Sequence, residues 1–106
     1  SMAARVYADD FKSKVLDSEI PVLVDFYSDS CVACKKLAPV LCELEEDYEG
    51  KLNIYKVNTN YEGDLAKEFN VLSNPTLVLF KDGKDIDKQI GAKDYDDLSD
   101  WIDSNI

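Results

Sequence analysis

The sequence predicts an α/β protein built in three layers, a central mixed sheet of about five strands flanked by four helices, on three observations. Residues 22–27 and 76–80 are nearly unbroken apolar runs, the pattern of central strands covered on both faces. Between them Cys34, Leu37, Ala38, Leu41, Leu44 and Tyr48 recur at helical spacing. Asp82-Gly83 follows the second run and is a strong signal for a two-residue hairpin, which gives the sheet an antiparallel edge.

Taken in chain order, the first element is a weak strand around Arg5 and Val6, followed by a helix carrying Phe11, Val15 and Leu16. The strand at 22–27 leads into the longest helix, which Pro39 should kink because it lacks an N–H and its ring crowds the preceding turn. Residues 52–58 alternate as a third strand, and Leu65, Ala66 and Phe69 mark a shorter helix. The hairpin pairs 76–81 with 84–90. Asp94 can cap a last helix whose apolar stripe is Leu98, Trp101, Ile102 and Ile106. There is no internal repeat and no low-complexity linker, so a single domain over residues 2–106 is expected, with Ser1 ahead of Met2 read as an added residue. Helices alternating with strands place ligands at the carboxyl ends of the strands, near Tyr27 and Cys31.

Composition narrows the function. Hydrophobic residues at 45% and charged ones at 32% suit a packed soluble domain and not a disordered chain. With 12 Lys plus Arg against 22 Asp plus Glu, the net charge of -10 opposes binding to nucleic acid or to anionic lipid. The longest apolar stretch, 20–24, is far too short to span a membrane, and no basic, apolar leader opens the chain, so a cytoplasmic protein is expected. The chain contains no His, which removes Ser/His/Asp and Cys/His catalysis and His-ligated metal from consideration. Its 3 Cys cannot complete an all-cysteine zinc or iron–sulfur site, so the expected chemistry is redox, with no metal and no bound cofactor.

That chemistry has an obvious seat. Cys31-Val32-Ala33-Cys34 falls where the strand ending at Tyr27 turns into the long helix. Unpaired N–H groups and the positive end of the helix dipole favour a thiolate at Cys31, the expected nucleophile. Cys34, one turn deeper, is spaced to attack a mixed disulfide at Cys31 and close an intramolecular disulfide. Two unlinked thiols, or half of a metal site shared between chains, are the alternatives. Asp25 interrupts the most apolar strand, where a buried carboxylate needs compensation. Either water or Lys56 on the neighbouring strand provides it, or the carboxyl has a raised pKa and exchanges a proton with Cys34. Cys42 reads as a small structural hydrophobe at the edge of the buried helix stripe, with a regulatory thiol as the minor alternative. The acidic residues of 43–49 and 94–103 read as solvated helix faces.

Val24-Asp25-Phe26-Tyr27-Ser28-Asp29-Ser30-Cys31-Val32-Ala33-Cys34-Lys35 resembles the active-site segment of the thioredoxin family. Pro39, Lys56, Asn74-Pro75-Thr76, Phe80-Lys81-Asp82-Gly83 and Gly91-Ala92 follow in family order, so the resemblance spans essentially the whole chain. It implies a thioredoxin-like sandwich and a protein-disulfide reductase that works as a monomer on disulfide-containing proteins and is re-reduced by a thioredoxin reductase-type donor. It also implies that Cys31 attacks, that Cys34 resolves, and that Asp25 transfers protons with Lys56 in support. Pro75 is then cis and faces the disulfide, the Asn74 backbone binds the substrate chain, and Gly91 lets that chain approach. Without the resemblance, Pro75 could be a trans proline opening a strand and Gly91 a simple turn.

The departures fall in the same segment. Thioredoxins usually carry Trp-Cys-Gly-Pro-Cys, whereas Ser30, Val32 and Ala33 stand here and would line the substrate face. An N–H at Ala33 could stabilise a Cys31 thiolate and make the couple more oxidising, and the Ser30 hydroxyl could bond that thiolate or the helix start. Asn74 replaces the usual Ile before the proline and should make substrate contacts more polar. A more oxidising oxidase or isomerase, and a binding module with a vestigial CxxC, are therefore the competing functions.

Overall fold

A computed structural model describes residues 3–106; residues 1 and 2, including the reading of Ser1 as an addition, lie outside the described residues. The strands are β1 (Ala4–Arg5), β2 (Val22–Tyr27), β3 (Asn53–Asn58), β4 (Thr76–Lys81) and β5 (Lys84–Ile90), and the α-helices are α1 (Val32–Asp47), α2 (Gly63–Glu68) and α3 (Tyr95–Asn105). The expected first helix is a single π-helical stretch, Lys12–Leu16, with only Val15 of its residues buried. The sheet order is β1-β3-β2-β4-β5, with β1, β3 and β2 parallel and the hairpin strands β4 and β5 antiparallel. The five strands and four helices follow the predicted order.

Alternation along the central strands separates two cores. Val22, Val24 and Phe26 point to one face and pack with Val6, Phe11, Phe69 and Phe80. Leu23 points to the other, among Leu37, Leu41, Leu44, Leu98 and Ile102 of α1 and α3. Asp25 shares the parity of Leu23, and Lys56 that of Ile54, so both charged side chains emerge on the α1 face. The register sets them opposite each other, Asp25 against Lys56.

Boundaries differ from expectation at a few points. β3 begins at Asn53, not at Leu52, and its burial does not alternate cleanly: Tyr55 and Lys56 are half-buried, and Val57 and Asn58 are both buried. α1 runs on through Pro39, whose missing N–H falls within the helix. Tyr48 ends it as the buried C-cap, its hydroxyl donating to Asp103 Oδ1 at 2.7 Å. The α3 stripe is Leu98, Trp101 and Ile102; Ile106 is the chain end and 36% exposed, beyond the reach of the core.

The hairpin forms as expected because both turn residues take positive φ, Asp82 at 52° and Gly83 at 80°. A Cβ on Gly83 would stand 3.3 Å from the carbonyl oxygen of Leu16 in addition to the unfavourable φ. Gly83→Ala should therefore lower stability by about 1–2 kcal/mol, read as a lower urea midpoint at unchanged slope. An unchanged midpoint would show that the turn relaxes at no cost.

Candidate active site

The strand register gathers one end of the sheet into a rim. Phe26 pairs with Thr76, and Thr76 with Ile90, so Tyr27, Pro75 and Gly91 stand next to one another just beyond the paired segment. The Pro75 carbonyl accepts a hydrogen bond from the Gly91 N–H at 2.8 Å. The Asn74–Pro75 peptide is cis, and Gly91 has φ +87°, which a side chain would disfavour.

Cys31 is the N-cap of α1 and is joined to Cys34 in a disulfide with a Cα–Cα distance of 5.2 Å. The two sulfurs are unequally placed. Cys34 is 7% exposed in the helix's buried stripe, whereas Cys31 is half-buried between exposed Ser30 and Val32, the latter 67% exposed. The Cys34 N–H donates to Cys31 Sγ at 3.1 Å, and the first turn of α1 carries no acidic residue to offset the positive end of its dipole. In the disulfide state the N–H that reaches Cys31 Sγ is that of Cys34, three positions on, as suits an N-cap group. In the same state Cys31 takes the cap position and the Ser30 hydroxyl makes no hydrogen bond among the described residues.

Asp25 lies beneath this pair. It is 6% exposed, its Oδ1 has no hydrogen-bond partner, and it lines a cavity with Cys34, Ala38 and Lys56. Removal from water disfavours the carboxylate and raises its pKa to about 7, against an opposing pull from the Lys56 charge. No ion pair joins the two among the described residues; the Lys56 ammonium lies 5.3 Å from the centroid of the Tyr27 ring. A second, smaller cavity shares Asp25, Ala38 and Lys56 with the first and is lined also by Ala3 and half-buried Cys42.

The sequence reading missed a polar cluster at the carboxyl end of β3 and on the loop after it. Asn58, 1% exposed, donates through Nδ2 to Asp29 Oδ2 at 3.2 Å and accepts from the Asn60 N–H at 2.9 Å. Thr59 bonds the Tyr27 carbonyl through its N–H at 2.8 Å and its hydroxyl at 3.1 Å. Asn74 Nδ2 donates to Thr59 Oγ1 at 3.1 Å, so one N–H of the Asn74 amide is engaged within the protein. The only trace of this in the sequence is the polar run Asn58-Thr59-Asn60 at the carboxyl end of a strand.

A dithiol–disulfide couple at a helix N-terminus, a buried carboxyl below it and a cis proline on the same rim agree with what comparison with known proteins returns. The family model for thioredoxin matches residues 3–104. Thioredoxin 1 of Nostoc sp. is 41% identical over 106 residues, covering 100% of this chain and 99% of its own length. Thioredoxin C-2 of Corynebacterium nephridii is 44% identical over 98 residues, 92% of this chain and 91% of its own length. Thioredoxin of Rickettsia felis is 38% identical over 105 residues, 99% of this chain and 100% of its own. With the match running the length of the fold and through the Cys31–Cys34 turn, the chain belongs to the thioredoxin family.

Proposed function

We propose that this thiol–disulfide oxidoreductase reduces disulfides of other proteins through Cys31 and Cys34 and is then re-reduced by a thioredoxin reductase-type donor. The observation that carries the reading is the unequal exposure of the two cysteines above an unpartnered, buried carboxyl. The reachable Cys31 thiolate attacks a substrate disulfide, forming a mixed disulfide and expelling one substrate thiolate. Cys34 gives its proton to Asp25, whose pKa near 7 lets it both take and return a proton at neutral pH, with the Lys56 charge in support. The Cys34 thiolate then attacks Cys31 Sγ, releasing the second substrate thiolate and forming the Cys31–Cys34 disulfide. Two electrons pass to the substrate, and the donor restores them.

The substrate chain lies along the rim. Pro75, the Asn74 backbone and Gly91 bind its main chain, and Ser30, exposed Val32 and Ala33 form the near wall. Ile90, 60% exposed beside Gly91, adds an apolar contact. A monomer leaves this rim open, and the cytoplasm keeps such a couple reduced. The same setting suits Cys42 as a small hydrophobe of the helix edge. The family match and the Cys31–Cys34 pair speak for reduction, and no observation favours the oxidising or non-catalytic alternatives.

The test is insulin reduction driven by dithiothreitol, followed by turbidity. Catalytic amounts of protein should shorten the lag many-fold over dithiothreitol alone; no acceleration would remove the proposed function.

A further inference from the structure

We infer that Thr59 is a positioning residue for this reaction, because one hydroxyl joins the loop that carries Cys31 to the loop that carries Pro75. The inference rests on the function just proposed. A threonine hydroxyl has a single hydrogen to donate and two lone pairs to accept with. The Tyr27 carbonyl at 3.1 Å can only accept, so the hydrogen goes there. Asn74 must then present its Nδ2, which donates to Thr59 Oγ1 at 3.1 Å; the alternative, Thr59 Oγ1 to Asn74 Oδ1, is longer at 3.4 Å. The result is a directed chain from the Asn74 amide through the Thr59 hydroxyl to the Tyr27 carbonyl.

Each end matters to the rim. Tyr27 closes β2 and opens the short turn to Cys31, and the Thr59 N–H also holds its carbonyl at 2.8 Å. Asn74 precedes the cis proline that faces Gly91. The neighbouring Asn58 side chain, at the end of β3, anchors Asp29 in that same turn, so Asn58 and Thr59 together grip the cysteine loop at two points and the proline loop at one. Neither the Cys31 sulfur nor Cys34 is touched. Thr59 therefore sets the spacing of the two walls between which an extended substrate chain must lie, and it is expected to act on recognition of a polypeptide more than on sulfur exchange itself.

Thr59→Val keeps the shape and removes only the hydroxyl. With insulin as substrate, KM should rise about five-fold with kcat within two-fold of the parent, the loss of one positioned hydrogen bond. With the small aromatic disulfide 5,5′-dithiobis(2-nitrobenzoate), which has no chain to fit along the rim, the rate should change by less than two-fold. Thr59→Ser, which keeps the hydroxyl, should restore the insulin KM. An insulin KM for Thr59→Val within two-fold of the parent, an equal loss on both substrates, or no recovery in Thr59→Ser would each overturn the inference. Should Thr59→Val fold poorly, Thr59→Ala, which also removes the hydroxyl, is read by the same KM ratio. The parent protein's own activity on both disulfides tests the underlying function separately.

Discussion

Cys31→Ser should lose at least about a thousand-fold in insulin reduction, falling to the rate of dithiothreitol alone, because a serine hydroxyl is not ionised near neutrality and forms no mixed disulfide. Cys34→Ser should behave differently. Its Cys31 remains able to attack, but nothing resolves the product, so the protein accumulates as a one-to-one mixed disulfide visible by mass spectrometry and released by reductant. The asymmetry follows from exposure, Cys34 being 7% exposed and Cys31 half-buried at the cap. Turnover surviving in Cys31→Ser, or trapping by Cys31→Ser and not by Cys34→Ser, would reverse the assigned roles.

Asp25→Asn should stabilise the fold and slow the reaction together. The carboxyl pKa rises from 3.8 to about 7 on folding, mainly through loss of water, with Lys56 opposing. A folded-state pKa above the unfolded one means that the folded state holds the proton more tightly. The associated stability is complete below about pH 3.8 and is lost as pH rises through about 7. In full the shift corresponds to about 4 kcal/mol. Asp25→Asn removes this penalty. It should be more stable than the parent by about 2–4 kcal/mol at pH 8 and by much less at pH 5, measured by urea unfolding at both. Its reduction of insulin should fall about 10- to 100-fold at pH 7, where proton transfer from Cys34 is needed. Stability curves for the two proteins that run parallel between pH 5 and pH 8 would mean that Asp25 titrates no differently in the folded state.

Both results depend on features that sequence exposes unequally. Central strands were legible because they are covered on both faces: β2 and β4 have no solvent side to break the apolar run. The hairpin was legible because few residue pairs other than Asp82-Gly83 accept two successive positive φ values. Asp25 was legible as an anomaly, a charge in an apolar strand, but strand parity alone puts it on the α1 face, and its lack of a partner is visible only once α1 is packed there. That the Cys34 N–H reaches Cys31 Sγ follows from the extended backbone with which Cys31 enters α1, which no local pattern encodes. Thr59 and Asn74 lie 15 residues apart, and neither is unusual for a loop, so their bond is a product of tertiary folding.

The central claim is that Cys31 and Cys34 form a reducing couple, and its most direct test is their reduction potential. The protein is equilibrated against dithiothreitol or glutathione buffers and its free thiols are trapped at each poise. A protein that keeps others reduced in the cytoplasm must lie at or below the glutathione poise of about -220 to -260 mV, and the account predicts a single two-electron transition near -270 mV, the value known for thioredoxin itself. A transition at about -180 mV or above, in the range of isomerases and oxidants, or no disulfide at any poise, would contradict it.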